Sequence, residues 1–204
     1  FIVINKRTTV LEFGCGYSSL IMHLALEENK KKYGPKKPFE RCNNPFQLFS
    51  IDNQKKYINI AKKRIIKYSS NSPKVNFFYS KARITLFNNN FAVEYDRLPR
   101  VNPDFIYLDG PSQWRVSDSI NNFTTAHPDM MPMSCDIIKF ENFLTPGTII
   151  VSDGRTANSL FLKNNFKRNW LFRINRTNDQ CYFYLKDPVL GLHNRKQLKF
   201  YNSK

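Results

Sequence analysis

Apolar runs rich in β-branched and aromatic residues alternate with stretches of helical period along most of this chain, and nearly every run stops at a polar residue. "TTVLEFG" reads as a buried strand stopped by Gly14. "YSSLIMHLALEEN" reads as the helix after it, with Ser18 or Ser19 as cap, Leu20, Ile21 and Leu24 toward a core, and Glu27 and Glu28 outside. "FQLFSID" and "NQKKYINIAKKRIIKYS" repeat the pair, with Tyr57, Ile58, Ala61, Ile65 and Ile66 as the apolar face. "KVNFFYS", "PDFIYLD" and "GTIIVSD" read as three more strands, "CDIIKFENFL" and "TANSLFLKNNF" as helices, and "WLFRINR" with "QCYFYLK" as an antiparallel hairpin. The pattern predicts an α/β fold: a doubly wound, mostly parallel seven-stranded sheet with helices on both faces and a C-terminal antiparallel hairpin. One domain is expected over 1–186, with a basic Lys-, Pro- and Gly-rich loop insertion at 30–46. The stretch 187–204 has no clear period and reads as a tail.

In such sheets ligands bind beyond the carboxyl ends of the strands, at the point where strand order reverses. The polar residues that close the runs are therefore the informative ones: Glu12, Asp52, Ser80, Asp109 and Asp153. Gly14-Cys15-Gly16 sits where the first strand hands over to a helix. Glycines there permit positive φ and let a ligand approach the backbone. The third glycine of a dinucleotide fingerprint is missing, and so is the Gly-Lys-Ser/Thr of a phosphate loop. Glu12, two residues before the first glycine, would repel a pyrophosphate and suits a cationic ligand.

With these residues in place, the sequence resembles the S-adenosylmethionine-dependent methyltransferases of Rossmann-like fold. "VLEFGCGYSS" resembles their first motif, "SID" their acidic second-strand end, "PDFIYLDGP" their fourth motif, and "LTPGTIIVSDG" the segment before their second acidic end. The resemblance implies S-adenosylmethionine as cofactor. It places Glu12 at the cofactor's amino group, directly or through backbone, Gly14, Gly16 and Ser18 in the loop that binds the cofactor, Asp52 on the ribose hydroxyls, Ser80, Lys81 and Ala82 as candidates beside the adenine, and Asp109 at the cofactor and the acceptor. The nearest subfamily is the catechol-type O-methyltransferases, and the chain also resembles uncharacterised bacterial methyltransferase-like proteins. The catechol-type enzymes bind a divalent metal, and Asp109 and Asp153 match their two aspartates. Their Asn position is Gly154 here, and Ser112 stands at their lysine position, so a metal-free site is expected, with Arg155 as the nearest cation. Asp109, Asp153 and His127, the last on the Pro- and Met-rich "TTAHPDMMPM" loop, are the candidate catalytic residues.

A methyltransferase acting on a hydroxyl of a small-molecule or glycan-type acceptor is the leading expectation. An RNA methyltransferase or RNA-binding protein, a non-catalytic relative of the fold and a nicotinamide dehydrogenase are the rivals. The formal charge of +16 fits an anionic partner such as nucleic acid. A coding bias toward A and T, which raises Lys and Asn together, accounts for it equally well. Cys15, Cys42, Cys135 and Cys181 form no C-x-x-C pair and read as free thiols of a reducing, cytoplasmic compartment. No apolar run approaches the roughly 18 residues of a membrane span.

Overall fold

The computed structural model of the chain describes residues 1–34, 43–69 and 75–203. Strand β1 (Thr9–Phe13) leads into helix α1 (Tyr17–Tyr33), β2 (Gln47–Asp52) into α2 (Lys55–Tyr68), and β3 (Val75–Tyr79) follows. A hairpin of β4 (Ala82–Phe87) and β5 (Asn90–Tyr95) comes next, then β6 (Phe105–Leu108) and the short β7 (Val116–Ser117). Helix α3 (Asp136–Phe140), β8 (Ile149–Asp153), α4 (Thr156–Asn165), β9 (Trp170–Asn175), β10 (Gln180–Leu185) and α5 (Gly191–Asn202) complete the chain.

The main sheet has seven strands in the order β3-β2-β1-β6-β8-β10-β9. The first five run parallel, and β10 is antiparallel to both β8 and β9. This is the mostly parallel, doubly wound sheet with a closing antiparallel pair that the sequence predicts. The side-chain period of two sorts each strand between two cores. Leu11, Phe13, Ile51, Ile106, Leu108 and Ile150 face the core that holds Leu162 of α4. Val10, Leu48, Phe105 and Val151 face the core of Met22 and Leu26 of α1. Strand order reverses between β1 and β6, so the switch-point crevice lies at their carboxyl ends.

Four local expectations are corrected. On α1 the buried residues are Ser19, Leu20, Met22, His23, Leu26, Asn29 and Tyr33, while Ile21 is 63% and Leu24 36% exposed. The inward stripe follows the polar residues that bond to the sheet and the first loop, a preference hydropathy does not register. On α2, Ile58, Ala61 and Ile65 are buried, but Tyr57 and Ile66 are exposed. The proposed insertion begins later than 30. Lys30, Lys31 and Lys32 form the last turn of α1, where cations suit the helix dipole, and Tyr33 packs edge-on against Phe200. Residues 35–42, including Cys42, lie outside the described residues. The stretch after Asp187 forms α5, which packs through Asn194 and Tyr201.

The sequence reading also passed over a second sheet, β5-β4-β7. Its hairpin turns on Asn88 and Asn89, both at positive φ, the two-residue turn that matches strand twist. Its residues Ala82, Val93 and Tyr95 cover the main sheet.

Candidate cofactor and active site

The loop after β1 is built by hydrogen bonds converging on two carboxylates. Glu12 is fully buried. Its Oε1 accepts from Ser18 Oγ at 2.5 Å, and its Oε2 accepts from Ser19 Oγ at 2.6 Å and from Ser50 Oγ. Ser19 Oγ accepts in turn from the Gly16 amide at 3.1 Å. Gly16 is the N-cap of α1 and has no side-chain cap of its own. Asp52 is 5% exposed and ties the loop from the other side. Its Oδ2 accepts from the Cys15 amide at 2.8 Å and its Oδ1 from the Gln54 amide at 2.6 Å. Ser50 Oγ also lies 3.0 Å from Cys15 Sγ. Glu12 and Asp52 thus hold the Gly14–Gly16 turn between two strands before any ligand arrives.

Gly14 needs its missing side chain. It sits at φ +95°, and a Cβ there would fall 2.9 Å from the Asp109 carbonyl carbon and the Gly110 nitrogen. The β1 and β6 loops therefore cross backbone on backbone at the switch point. Gly14 N donates to Ile51 O and Asp109 N to Phe13 O, both at 2.8 Å.

Because β6 and β8 are adjacent and parallel, Asp109 and Asp153 end neighbouring strands. Their surroundings differ. Asp153 Oδ2 accepts from Tyr107 OH at 2.7 Å and its Oδ1 from Gln180 Nε2 at 3.3 Å. The Asp109 carboxylate has no hydrogen bond or ion pair among the described residues, and solvent reaches it. The protein around it still removes enough water to push its pKa up to about 6; Arg155 opposes that rise, and Asp153 and Asp52 add to it. At neutral pH it is mostly ionised and still basic enough to take a proton.

Arg155 is 8% exposed and gives Nη2 to the Pro111 carbonyl at 2.5 Å. Among the described residues its buried Nη1 has no hydrogen-bond partner, and neither has the hydroxyl of Tyr95. Burial lowers the Arg155 pKa and raises that of Tyr95. Among the described residues, no three His, Cys, Asp or Glu side chains gather as a metal would require.

Of the remaining candidates, Ser80 adjoins the cluster, its amide donating to Asp52 O at 3.1 Å. Ser80 is buried and accepts from the Arg97 amide at 2.9 Å, while Ala82 is buried at the start of β4. His127 is exposed on a turn, its Nδ1 accepting from the Asp129 amide at 3.2 Å, and no bond joins it to Asp109, Asp153 or Arg155. Cys15, Cys135 and Cys181 are buried free thiols, and burial raises the pKa of Cys15 and Cys135. Sequence reasoning missed Ser50 and Tyr107, which engage Glu12 and Asp153. Both are polar residues within apolar strand runs, and that interruption was the available signal.

Burial pushes the Glu12 pKa up from 4.5 to about 7 against the three hydroxyls that favour its charge. A folded state that holds the proton more tightly than the unfolded chain loses stability as pH rises from about 4.5 through 7. Glu12→Gln is expected to flatten this slope, read as urea midpoints between pH 5 and pH 8. Parallel slopes in the two proteins would show that Glu12 does not titrate there.

No family model and no curated protein matches the chain. Among solved structures, the chain is similar to a "putative methyltransferase from Thermoplasma acidophilum", with a TM-score of 0.46 and 11% identity over 89% of this chain and 70% of that one. No described helix is long and apolar enough to cross a membrane.

Proposed function

We propose that this chain is an S-adenosylmethionine-dependent methyltransferase that acts on a hydroxyl of a small-molecule or glycan-type acceptor. The observation that carries the reading is the switch-point crossing: Gly14 and Gly110 meet backbone to backbone, with Asp52 on one side and the unpartnered Asp109 on the other. Acidic strand ends suit a cationic cofactor, and the missing third glycine disfavours a dinucleotide.

Asp52 would take the ribose hydroxyls with the lone pairs its two backbone donors leave free. Glu12 is fully buried among three serines and acts through the loop, setting Ser18, Ser19 and Gly16 for the amino-acid portion. Ser80 and Ala82 would contribute beside the adenine through backbone and shape, since both side chains are buried. When bound, the sulfonium supplies an activated methyl group. Asp109 orients the acceptor hydroxyl and accepts its proton. Asp153, held by Tyr107 and Gln180, shapes the far wall. We read the site as metal-free: Gly154 offers no side-chain oxygen, and Arg155 is the cation that acts on Asp109. His127 would reach the acceptor only by movement of its loop.

Calorimetric titration with S-adenosylhomocysteine tests the reading. Binding is expected in wild type, and Asp52→Ala should weaken it by about 1–3 kcal/mol, the range for a hydrogen-bonded charged group. Wild type that binds no S-adenosylhomocysteine would sink the proposal. Equal affinity in the variant would remove Asp52 from the site.

A further inference from the structure

Between Asn53 and Val93 the chain carries nine Lys and Arg and no Asp or Glu, so all 16 acidic residues lie elsewhere. A coding bias toward Lys and Asn adds cations throughout a chain but gives no reason for acids to vanish from one segment. The structure concentrates much of this segment on one face. Helix α2 buries Ile58, Ala61 and Ile65, and its remaining circumference carries six Lys and Arg and two Tyr beside Asn59, Ile60 and the exposed Ile66. At 100° per residue, Lys56, Lys63 and Lys67 point away from the sheet, and all three are exposed.

Aromatic rings flank this row on both sides. Toward α1, Arg64 lies 3.5 Å from the centre of the Tyr17 ring, which is 68% exposed. Toward β3, Lys55 lies 5.0 Å from the Tyr79 ring, which is 46% exposed. Tyr57 and Tyr68 are exposed on α2 itself. The face also reaches the candidate site. Tyr17 is the first residue of α1 after Gly16, and Lys55 follows Asp52 by three positions at the carboxyl edge of the sheet.

Cations in a row with accessible rings beside them are what a single strand of nucleic acid requires: charge tracks the phosphates and rings stack the unpaired bases. A duplex leaves no base free to stack, and the apolar face of α2 is turned to the sheet, which leaves its exposed side without the continuous apolar surface by which a membrane-surface helix inserts. We propose that the outer face of α2, between Tyr17 and Tyr79, docks single-stranded nucleic acid. The proposal stands independently of methyl transfer.

The test is fluorescence anisotropy of the full chain with a labelled mixed-sequence single-stranded RNA of about 20 nucleotides and the matching DNA, across a salt series. Three phosphate contacts contribute about 2 to the log–log salt slope on a single strand. The triple variant K56Q/K63Q/K67Q should therefore lower the slope by about that amount and weaken binding at least tenfold. Tyr79→Ala should weaken binding with the slope unchanged, as loss of stacking predicts. R173Q/R176Q/K186Q makes the same charge change on exposed residues of β9, the turn after it and just beyond β10, at the far edge of the sheet, and should bind nearly as wild type. Circular dichroism melts check that each variant folds. The proposal is overturned if wild type does not bind, if the control triple weakens binding as much, or if duplex RNA or anionic lipid vesicles bind as tightly. Calorimetry with S-adenosylhomocysteine on the same proteins shows separately whether the cofactor reading survives.

Discussion

Gly110→Val is expected to remove the candidate cofactor site and much of the protein's stability together. A Cβ on Gly110 would fall 2.6 Å from Gly14 N, 2.7 Å from Gly14 Cα and 2.8 Å from the Phe13 carbonyl carbon. All three atoms are backbone, so no side chain can swing aside. The loops cannot simply part, because Gly14 N is bound to Ile51 O and Asp109 N to Phe13 O at the ends of three adjacent strands. Overpacking costs about 1–3 kcal/mol, and each bond lost in relieving it about 0.5–1.5 kcal/mol more. A loss of about 3–4 kcal/mol in urea unfolding is expected, with S-adenosylhomocysteine affinity down at least tenfold. Gly16→Ala is the contrast. Gly16 has extended backbone at φ −166°, and the atom nearest a Cβ there is Ser18 Oγ at 3.7 Å. Its stability should barely change. A Gly110→Val protein with wild-type midpoint and affinity would refute the crossing of the two loops.

Asp104→Ala is expected to be about as damaging, far from the candidate site. Asp104 is 3% exposed and immediately precedes β6, at the amino end of the sheet. Its Oδ2 accepts from Thr8 N, Thr8 Oγ1 and Tyr201 OH, each at 2.8 Å, and its Oδ1 from Thr9 N at 3.0 Å. Arg7 stacks 3.9 Å from the centre of the Tyr201 ring and donates to the Gly147 carbonyl at 2.8 Å. This one carboxylate thus joins the start of β1, the start of β6 and helix α5. Its removal leaves several buried donors unpaired, at about 1–3 kcal/mol for each donor left unsatisfied. Tyr201→Phe, which deletes the bond to Asp104 and the one accepted from Gln197, should cost about 1–3 kcal/mol. Urea midpoints read both. A small effect of Asp104→Ala would mean that α5 is not integral to the fold.

Neither Asp104 nor Tyr201 stood out in the sequence, for the same reason that the 187–204 stretch read as a tail. Helix α5 is held by a few polar anchors, Asn194 donating to Pro146 O and Tyr201 to Asp104, instead of an apolar stripe. Periodicity detects stripes and is blind to anchors. The β4–β5 hairpin is the opposite case: "ARITLFNNNFAVEY" carries strand alternation around an Asn-Asn turn, and that signal was present but unread. The central strands of the main sheet were legible because parallel strands buried on both faces must be almost wholly apolar, and β2, β6 and β8 end at or just before Asp52, Asp109 and Asp153, while β1 runs one residue past Glu12.

The candidate site divides along the same line. That Gly14 opens a turn between strand and helix, and that acids close the second, fourth and fifth strands of the main sheet, are properties of neighbouring residues, and the sequence determined them. Which acid is free is not such a property. Asp153 is occupied because Tyr107, 46 residues away, and Gln180, 27 residues away, lie on the strands that flank β8. Among the described residues Asp109 has no hydrogen-bond or ion-pair partner, and the protein's removal of water around it raises its pKa to about 6. Glu12 carries the motif's acid but is enclosed by three serines, one of them from β2. A carboxylate's partners and its loss of water depend on strand order, and strand order is set by packing between segments far apart in the chain. Only the tertiary structure decided those.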